Sequence, residues 1–534
     1  MSGSQHVPIS PSPPTDRVLD LSEAQLTASQ IRAFLAAAED VDMDPESADE
    51  LIQTLLANTS DASGLQITQD PDTEEPDGLN LQVTELDMAV LYSVPDQEVQ
   101  TWSPQQLRGM LHHLKEKGAS SFFQEYVTHR NIPIPQLLLA FGIILSPALH
   151  GMSTPTLRYF LRVGMHRELQ LREKLADYNT IDDAVRLIRD SRRILILTGA
   201  GISVSCGIPD FRSPDGIYAS LREKGQYDLD DPQQMFDISY FRENPAVFYS
   251  FASQIYPSNF TPSPCHRFIK LVENKDQLLR NYTQNIDTLE TLAGVSRVLQ
   301  CHGSFATASC LSCRRQVHGS EIEAAILAQT VPLCSICSAQ SIATPKKKKK
   351  KSKTQWQSDD DDDESEGPAY PPWVMKPDIT FFGEKLADHF DQSLAADRDE
   401  VDLLLVIGTS LKVAPVADIL SHLPHSVPQI LINKTPVRHI NPDIILLGNA
   451  DHIVTSLCVR LGWELPAAPA FLRDNVRKRS AADLHAEEEP RRVGNSHVWT
   501  FEGAEGGEWL RNIAAQYSTE EEETEQNSKK PRLA

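Results

Sequence analysis

Apolar side chains recur with two different periods along this chain, and the change falls near residue 190. Before it, Leu107, Met110, Leu111 and Leu114 repeat at helical spacing, followed by Phe122, Phe123 and Tyr126. That pattern predicts a small helical module over residues 94–165, with the aromatic stripe as its packing face. Residues 180–189, TIDDAVRLIR, read as a capped helix. Beyond them come short unbroken apolar runs at 194–197, 278–282, 298–300, 401–407 and 429–432, each closing on small or polar residues. Buried strands alternating with helical stretches predict an α/β fold with a parallel, doubly wound sheet.

Ligands of such a sheet bind at the carboxyl ends of its strands. Five of the expected ends carry polar or glycine groups: Thr198-Gly199-Ala200-Gly201, Gln284-Asn285-Ile286-Asp287, Cys301-His302-Gly303, Gly408-Thr409-Ser410 and Asn433-Lys434. The first opens the stretch 194–218, where the glycines imply a tight turn passing close to something, with a phosphate as the expected neighbour. The place of the third glycine in a dinucleotide fingerprint is held by Val204, and the next glycine is Gly207. Taken by itself, the turn therefore leaves nucleotide binding and an ordinary strand-to-helix connection both open.

Cys310-x-x-Cys313 and Cys334-x-x-Cys337 enclose twenty residues, the spacing of a two-knuckle zinc ribbon. Four thiolates would fill the tetrahedral shell and leave no position for water, so the metal is expected to be structural; redox pairs are the alternative. Cys206, Cys265, Cys301 and Cys458 lie near apolar or strand segments and read as packed thiols.

The chain has 534 residues, 40% of them hydrophobic, and a formal net charge of −24. That charge excludes nucleic-acid binding through a generally basic surface. It favours basic partners such as lysine-rich tails, unless the excess acid simply sits in solvated segments. The first residues hold no apolar signal core, and the longest apolar run, 137–145, is too short to cross a bilayer, so a soluble intracellular protein is expected. Lysines at 346–353 followed by acids at 359–366 form a solvated insertion. The lysines fit nuclear import, helped by a second basic cluster at 529–532, or a loop attracted to DNA, or a hairpin neutralised by the acids.

These shifts divide the chain. Residues 1–90 are expected to be a mostly disordered acidic region with one helical island at 27–38, where Thr27 and Gln30 fit a capping box. Residues 91–175 form the helical module, and 176–465 a catalytic core with a zinc module at 306–340 and the charged insertion at 341–372. Residues 466–534 read as a largely disordered tail with a strand-like segment at 497–505, HVWTFEGAE.

The motifs GAGISVSCGIPDFRSPDGIY, NYTQNID, CHGSFATASC, both C-x-x-C pairs, KPDITFFGE, GTSLKV and ILINK follow one another in a single order. In them the chain closely resembles the sirtuins, which are NAD-dependent protein-lysine deacylases, and is most similar to their nuclear silent-information-regulator branch. The likeness covers about residues 179–462, interrupted by the charged insertion. It implies a Rossmann-like large domain, a smaller domain made of a helical segment at 228–260 plus the zinc ribbon, disordered terminal extensions, and a cleft taking NAD and an acyl-lysine peptide.

The resemblance also implies roles. Gly199, Ala200, Gly201 and Ser203 would meet the NAD phosphates, Asp210, Phe211 and Arg212 would lie on a loop closing over the cofactor, and Tyr218 would be a further contact. Gln284, Asn285, Ile286 and Asp287 would order the ribose and receive the nicotinamide carboxamide, with Asn285 and Asp287 counted as catalytic. Gly408, Thr409 and Ser410 would touch ribose, Asn433, Lys434 and Thr435 the adenosine end, and Ala450 a further cofactor position. His302 would be the base, since an imidazole titrates near neutral pH. Phe382-Gly383-Glu384 and Val413-Ala414-Pro415 would flank a substrate backbone lying as an added strand.

In the implied reaction the acetyl oxygen displaces nicotinamide, giving an alkylamidate. His302 then frees a ribose hydroxyl to attack it, and water completes release of lysine and O-acetyl-ADP-ribose. Acetylated histone tails are the expected substrate and silencing-complex proteins the expected partners, in the nucleus. Two alternatives are a silencing scaffold with secondary activity and a protein mono-ADP-ribosyltransferase.

Overall fold

The structure is a computed structural model that describes residues 22–39, 41–58, 87, 90–91, 102–209, 216, 232–257, 260–343, 370–466 and 489–528. The chain forms two compact units, one of Met1–Glu173 with Leu420–Ser426, the other of Lys174–Ile419 with Val427–Ala534.

The first unit is helical. Helices Glu23–Ala36, Pro45–Asn58, Pro104–Phe122, Ile134–Ala140 and Thr154–Gln170 share one core containing Ile31, Phe34, Leu51, Leu55, Leu114, Phe122 and Phe160. Described helices from Glu23 onward thus share the core of the expected module. Its first helix starts earlier than the expected island. Ser22 and Gln25 form the capping box, while Thr27 and Gln30 are buried mid-helix, bonded to Ser146 Oγ at 2.8 Å and the Ile144 carbonyl at 2.6 Å. Both pairs match the S/T-x-x-Q spacing, and packing against the 144–146 segment decided between them.

The second unit is built on an eight-stranded sheet of order β10-β11-β9-β8-β7-β1-β2-β3. Its strands are β1 (Ile194–Thr198), β2 (Leu278–Thr283), β3 (Val298–Gln300), β7 (Leu403–Ile407), β8 (Gln429–Asn433), β9 (Ile444–Leu447), β10 (Arg491–Arg492) and β11 (Val498–Thr500). Every neighbouring pair is parallel except β10 with β11. All residues of β1, β7, β8 and β9 are buried, as expected of a parallel sheet covered on both faces. Helices Ile181–Asp190, Pro264–Asn274 and Ala450–Leu461 supply much of that cover. The sequence reading did not single out β9, although the run Ile444-Ile445-Leu446-Leu447 carries the signal.

The chain leaves β1 toward β2 and β3 on one side and later fills β7, β8 and β9 on the other. Strand order thus reverses between β1 and β7, the place where a doubly wound sheet opens a crevice. A second sheet, β5-β4-β6, joins β4 (Gly303–Cys310), β5 (Gln316–His318) and β6 (Met375–Ile379) in antiparallel register. It packs with helices Ile238–Glu243 and Pro245–Ile255 around Phe241, Phe248, Tyr249 and Phe381.

Val498, Trp499 and Thr500 pair with Ile445, Leu446 and Leu447 of β9, and helix Gly507–Ser528 follows. Residues 346–353, 359–366 and 529–532 lie outside the described residues. Among the described residues no helix is long and apolar enough to cross a membrane.

Candidate active site

Strand β1 ends on buried Thr198, and the next residues close two single 3-10 turns, Ala200–Ile202 and Val204–Cys206. No long helix begins at the glycine turn. The close neighbour that demands glycine is the loop after β7. A Cβ at position 199 would lie 2.7 Å from Thr409 Cβ, and one at 201 would lie 2.8 Å from Gly408 Cα. The Gly201 N–H also donates to the Gly408 carbonyl at 2.8 Å. Gly408 itself has φ +64°, a conformation side chains resist. The turn is thus tight against its own chain, which locks the ends of β1 and β7 together at the switch point.

The Gln284-Asn285-Ile286-Asp287 segment follows β2 and is tied to β1 by the Gln284 N–H to the Thr198 carbonyl at 2.9 Å. Asn285 Nδ2 donates to the Gly199 carbonyl at 3.1 Å and to Ser203 Oγ at 3.3 Å. Ser203 Oγ in turn donates to Asp287 Oδ2 at 2.6 Å, while Asp287 Oδ1 accepts the Leu289 N–H at 3.0 Å. Ser203, Asn285 and Asp287 are all buried. Residues from two strand ends far apart in sequence therefore share one hydrogen-bond chain. Ile286 is buried in the smaller domain's apolar core. Thr409 Oγ1 donates to Gln284 Oε1 at 2.9 Å, bringing the β7 loop into the same cluster, and Ser410 is exposed beside it.

His302 stands between β3 and β4, where the chain crosses from the large sheet to the small one. Its Nδ1 lies 3.0 Å from the Gln284 carbonyl, so Nδ1 carries the proton and Nε2 the lone pair. Nε2 is buried with no partner among the described residues, and so is Gln284 Nε2. Burial holds the His302 imidazole below its ordinary pKa, opposed by the Gln284 carbonyl. A neutral ring with a buried, unpaired Nε2 is suited to accept a proton.

The remaining expected positions cluster at other strand ends. Asn433 Nδ2 donates to the Thr435 carbonyl at 2.8 Å, and Lys434 pairs with Glu505 at 2.6 Å on the exposed surface. Ala450 opens the helix after β9, whose N-cap is Asn449. Asp210, Phe211, Arg212 and Tyr218 lie outside the described residues.

The two expected substrate segments differ. Val413, Ala414 and Pro415 are partly or fully exposed. Phe382 is exposed, yet its N–H donates to the Phe236 carbonyl at 2.8 Å and its carbonyl accepts the Ile238 N–H at 3.1 Å. The Phe382 backbone thus pairs with the 236–238 segment of this chain. Glu384 Oε2 takes the Phe381 N–H at 2.8 Å and Lys376 Nζ at 2.9 Å, so its carboxylate shapes the loop around Gly383. Lys376 is buried, with its ammonium 4.3 Å from the Phe381 ring centre.

Cys310, Cys313, Cys334 and Cys337 bring their sulfurs within 4.8 Å of one another. The Cys310–Cys337 and Cys313–Cys334 separations are 4.0 and 3.8 Å. A tetrahedron with bonds of ~2.3 Å has edges of ~3.8 Å, so the donor set fits a closed zinc site. Two buried residues of the large domain went unread in the sequence: Glu290 and His266, which approach Asp287. The signal available was an acid inside the apolar stretch TLETLAG.

A doubly wound sheet with a polar crevice at its switch point, joined to a four-cysteine module, defines an α/β protein of the nucleotide-binding type with a structural metal site. The chain belongs to the Sir2 family, whose model matches residues 199–415. It is 41% identical over 358 residues to the NAD-dependent histone deacetylase sir2 of Schizosaccharomyces pombe, covering 66% of this chain and 75% of that one. It is 52% identical over 293 residues to NAD-dependent protein deacetylase sirtuin-1 of Homo sapiens, covering 55% of this chain and 35% of that protein. The match to the Mus musculus sirtuin-1 likewise spans 36% of that protein. The chain thus covers about a third of the length of those two animal relatives.

Proposed function

We propose that this chain is an NAD-dependent protein-lysine deacetylase acting on acetylated histone tails in the nucleus. The observation that carries the reading is the His302 imidazole, its Nδ1 held by the Gln284 carbonyl and its Nε2 buried without a partner among the described residues. Beside it Asn285, Ser203 and Asp287 form one polar chain. Family membership and the printed activity of the relatives, NAD-dependent deacetylation of proteins and histones, support the same reading.

The residues present fit NAD: Gln284 Nε2 and His302 Nε2 offer buried polar atoms, unpaired among the described residues, of the kind that a ribose and its hydroxyls satisfy. When bound, NAD supplies an anomeric carbon from which nicotinamide departs. Asn285 and Asp287 hold the carboxamide, one offering an amide and the other a carboxylate. His302 Nε2 accepts a proton from a ribose hydroxyl, and Nδ1 shares the resulting charge with the Gln284 carbonyl. Gly383 and the segment Val413-Ala414-Pro415 receive the peptide backbone. Products are nicotinamide, free lysine and O-acetyl-ADP-ribose. The four cysteines hold zinc and keep β4 and β6 in register. The acidic net charge suits a basic histone tail.

The test is incubation of the protein with NAD and an acetyl-lysine histone peptide. Nicotinamide release that depends on the peptide and matches deacetylation mole for mole is the expected result. Release indifferent to the peptide, or none, overturns the reading.

A further inference from the structure

Around Asp287 two further titratable groups converge. Glu290 and His266 are both fully buried, and each brings a ligand-type atom within 4.8 Å of the others and of Asp287. Glu290 follows the turn that Asp287 begins; His266 projects from helix Pro264–Asn274. Glu290 Oε1 accepts from Thr198 Oγ1 at 3.4 Å, whereas Oε2 has no partner among the described residues. His266 Nδ1 accepts the Ser263 N–H at 3.2 Å, which places the ring proton on Nε2. That Nε2 is likewise buried and unpartnered. Among the described residues no cation pairs with either carboxylate.

We propose that Glu290 and His266 form a buried positioning pair for Asp287, two side chains that enclose its carboxylate and hold it toward the ligand crevice. The proposal rests on the reading of Asp287 as the carboxamide-holding residue.

Two carboxylates this close and this buried cannot both be ionised, so one keeps its proton. Asp287 is the ionised member, because it already accepts the Ser203 hydroxyl and the Leu289 N–H. Glu290 is the protonated one: desolvation, then the charge of Asp287, push its pKa up to about 8. The groups facing the pair add no compensating charge. Thr198 lies on β1, and Thr283 and Asn281 on β2; Asn281 Nδ2 donates to Thr198 Oγ1 at 3.1 Å. Burial raises the Cys301 thiol and pushes Cys206 up to about 12, leaving both neutral, and drops His266 to about 3. A proton on Glu290 removes the negative charge that would otherwise repel Asp287.

Thermal unfolding of the full chain decides the matter without NAD. The ordinary value for Glu290 is 4.5 and the folded value about 8. Its contribution to stability is therefore fully present below the first and lost as pH rises through the second. Glu290→Gln, which keeps a donor and cannot ionise, is expected to flatten that decline, so that its Tm overtakes the parent's toward about pH 8. Parallel Tm curves across this range overturn the proposal. In kinetics, Glu290→Ala raises KM for NAD about tenfold with a smaller change in kcat, because Asp287 loses the side chain that encloses it. An unchanged KM overturns it, and if that variant fails to fold the Gln melts still decide. A second metal equivalent per chain that disappears in Glu290→Gln also overturns it, since the three groups would then be ligands. Loss of peptide-dependent nicotinamide release in the parent sinks the proposed function, while the melts still report on the pair.

Discussion

Two clusters in this protein gather metal-binding residue types within 4.8 Å, the four cysteines and the trio His266, Asp287 and Glu290. The first lies toward the surface, with Cys313 exposed, and its sulfur separations match a tetrahedral shell. The second is wholly buried, and its groups already accept from Ser203, Leu289, Thr198 and Ser263. Ligand type and proximity are alike; the hydrogen-bond environment differs. Where hydroxyl and amide donors already engage buried carboxylates, the cluster suits a proton, and where four sulfurs meet at tetrahedral separations, it suits a metal.

Four experiments sharpen or break that contrast, from the largest effect downward. Cys310→Ser is expected to remove the metal and unfold the small sheet, because structural zinc contributes on the order of 10 kcal/mol to folding. Elemental analysis should fall from about one zinc per chain to none, and unchanged zinc would break the comparison on its metal side. His302→Ala should cut turnover about 10²- to 10⁴-fold while Tm stays put. In the parent, the acid limb of the rate profile should lie below the ordinary imidazole value of 6.5, because burial keeps the ring neutral to lower pH. A limb above that value would contradict the buried environment. Ser203→Ala removes the hydroxyl that Asp287 accepts, which costs about 1–3 kcal/mol and should appear mainly in KM for NAD. Thr198→Val removes the long bond to Glu290 and the acceptor of the Asn281 amide, so an effect of about 1 kcal/mol, read as a slight upward shift in the pH at which stability declines, is the mildest expectation.

Much of this architecture was legible in the chain because local spacing carried it. Thr180 and Asp183 do form a reciprocal cap, and the run at 194–198 is the central strand. Elsewhere the local signal was ambiguous. Ser22-x-x-Gln25 and Thr27-x-x-Gln30 fit the same capping pattern, and only the bonds from Thr27 and Gln30 to the 144–146 segment show which one lies inside the helix. Gly199 and Gly201 announced a close approach, but the partner is the Gly408-Thr409 loop, two hundred residues away in sequence.

By itself the sequence determined the cysteine knuckles, the strand ends and the order of the motifs, since each depends on residues a few positions apart. Tertiary structure alone decided that Glu290 and His266 meet around Asp287 with no paired cation among the described residues, and that Phe382 is already paired to Phe236 and Ile238. The reason is physical. Desolvation and the presence or absence of a counter-charge are properties of everything packed around a group, and a carboxylate's protonation follows from that enclosure rather than from its neighbours in the chain.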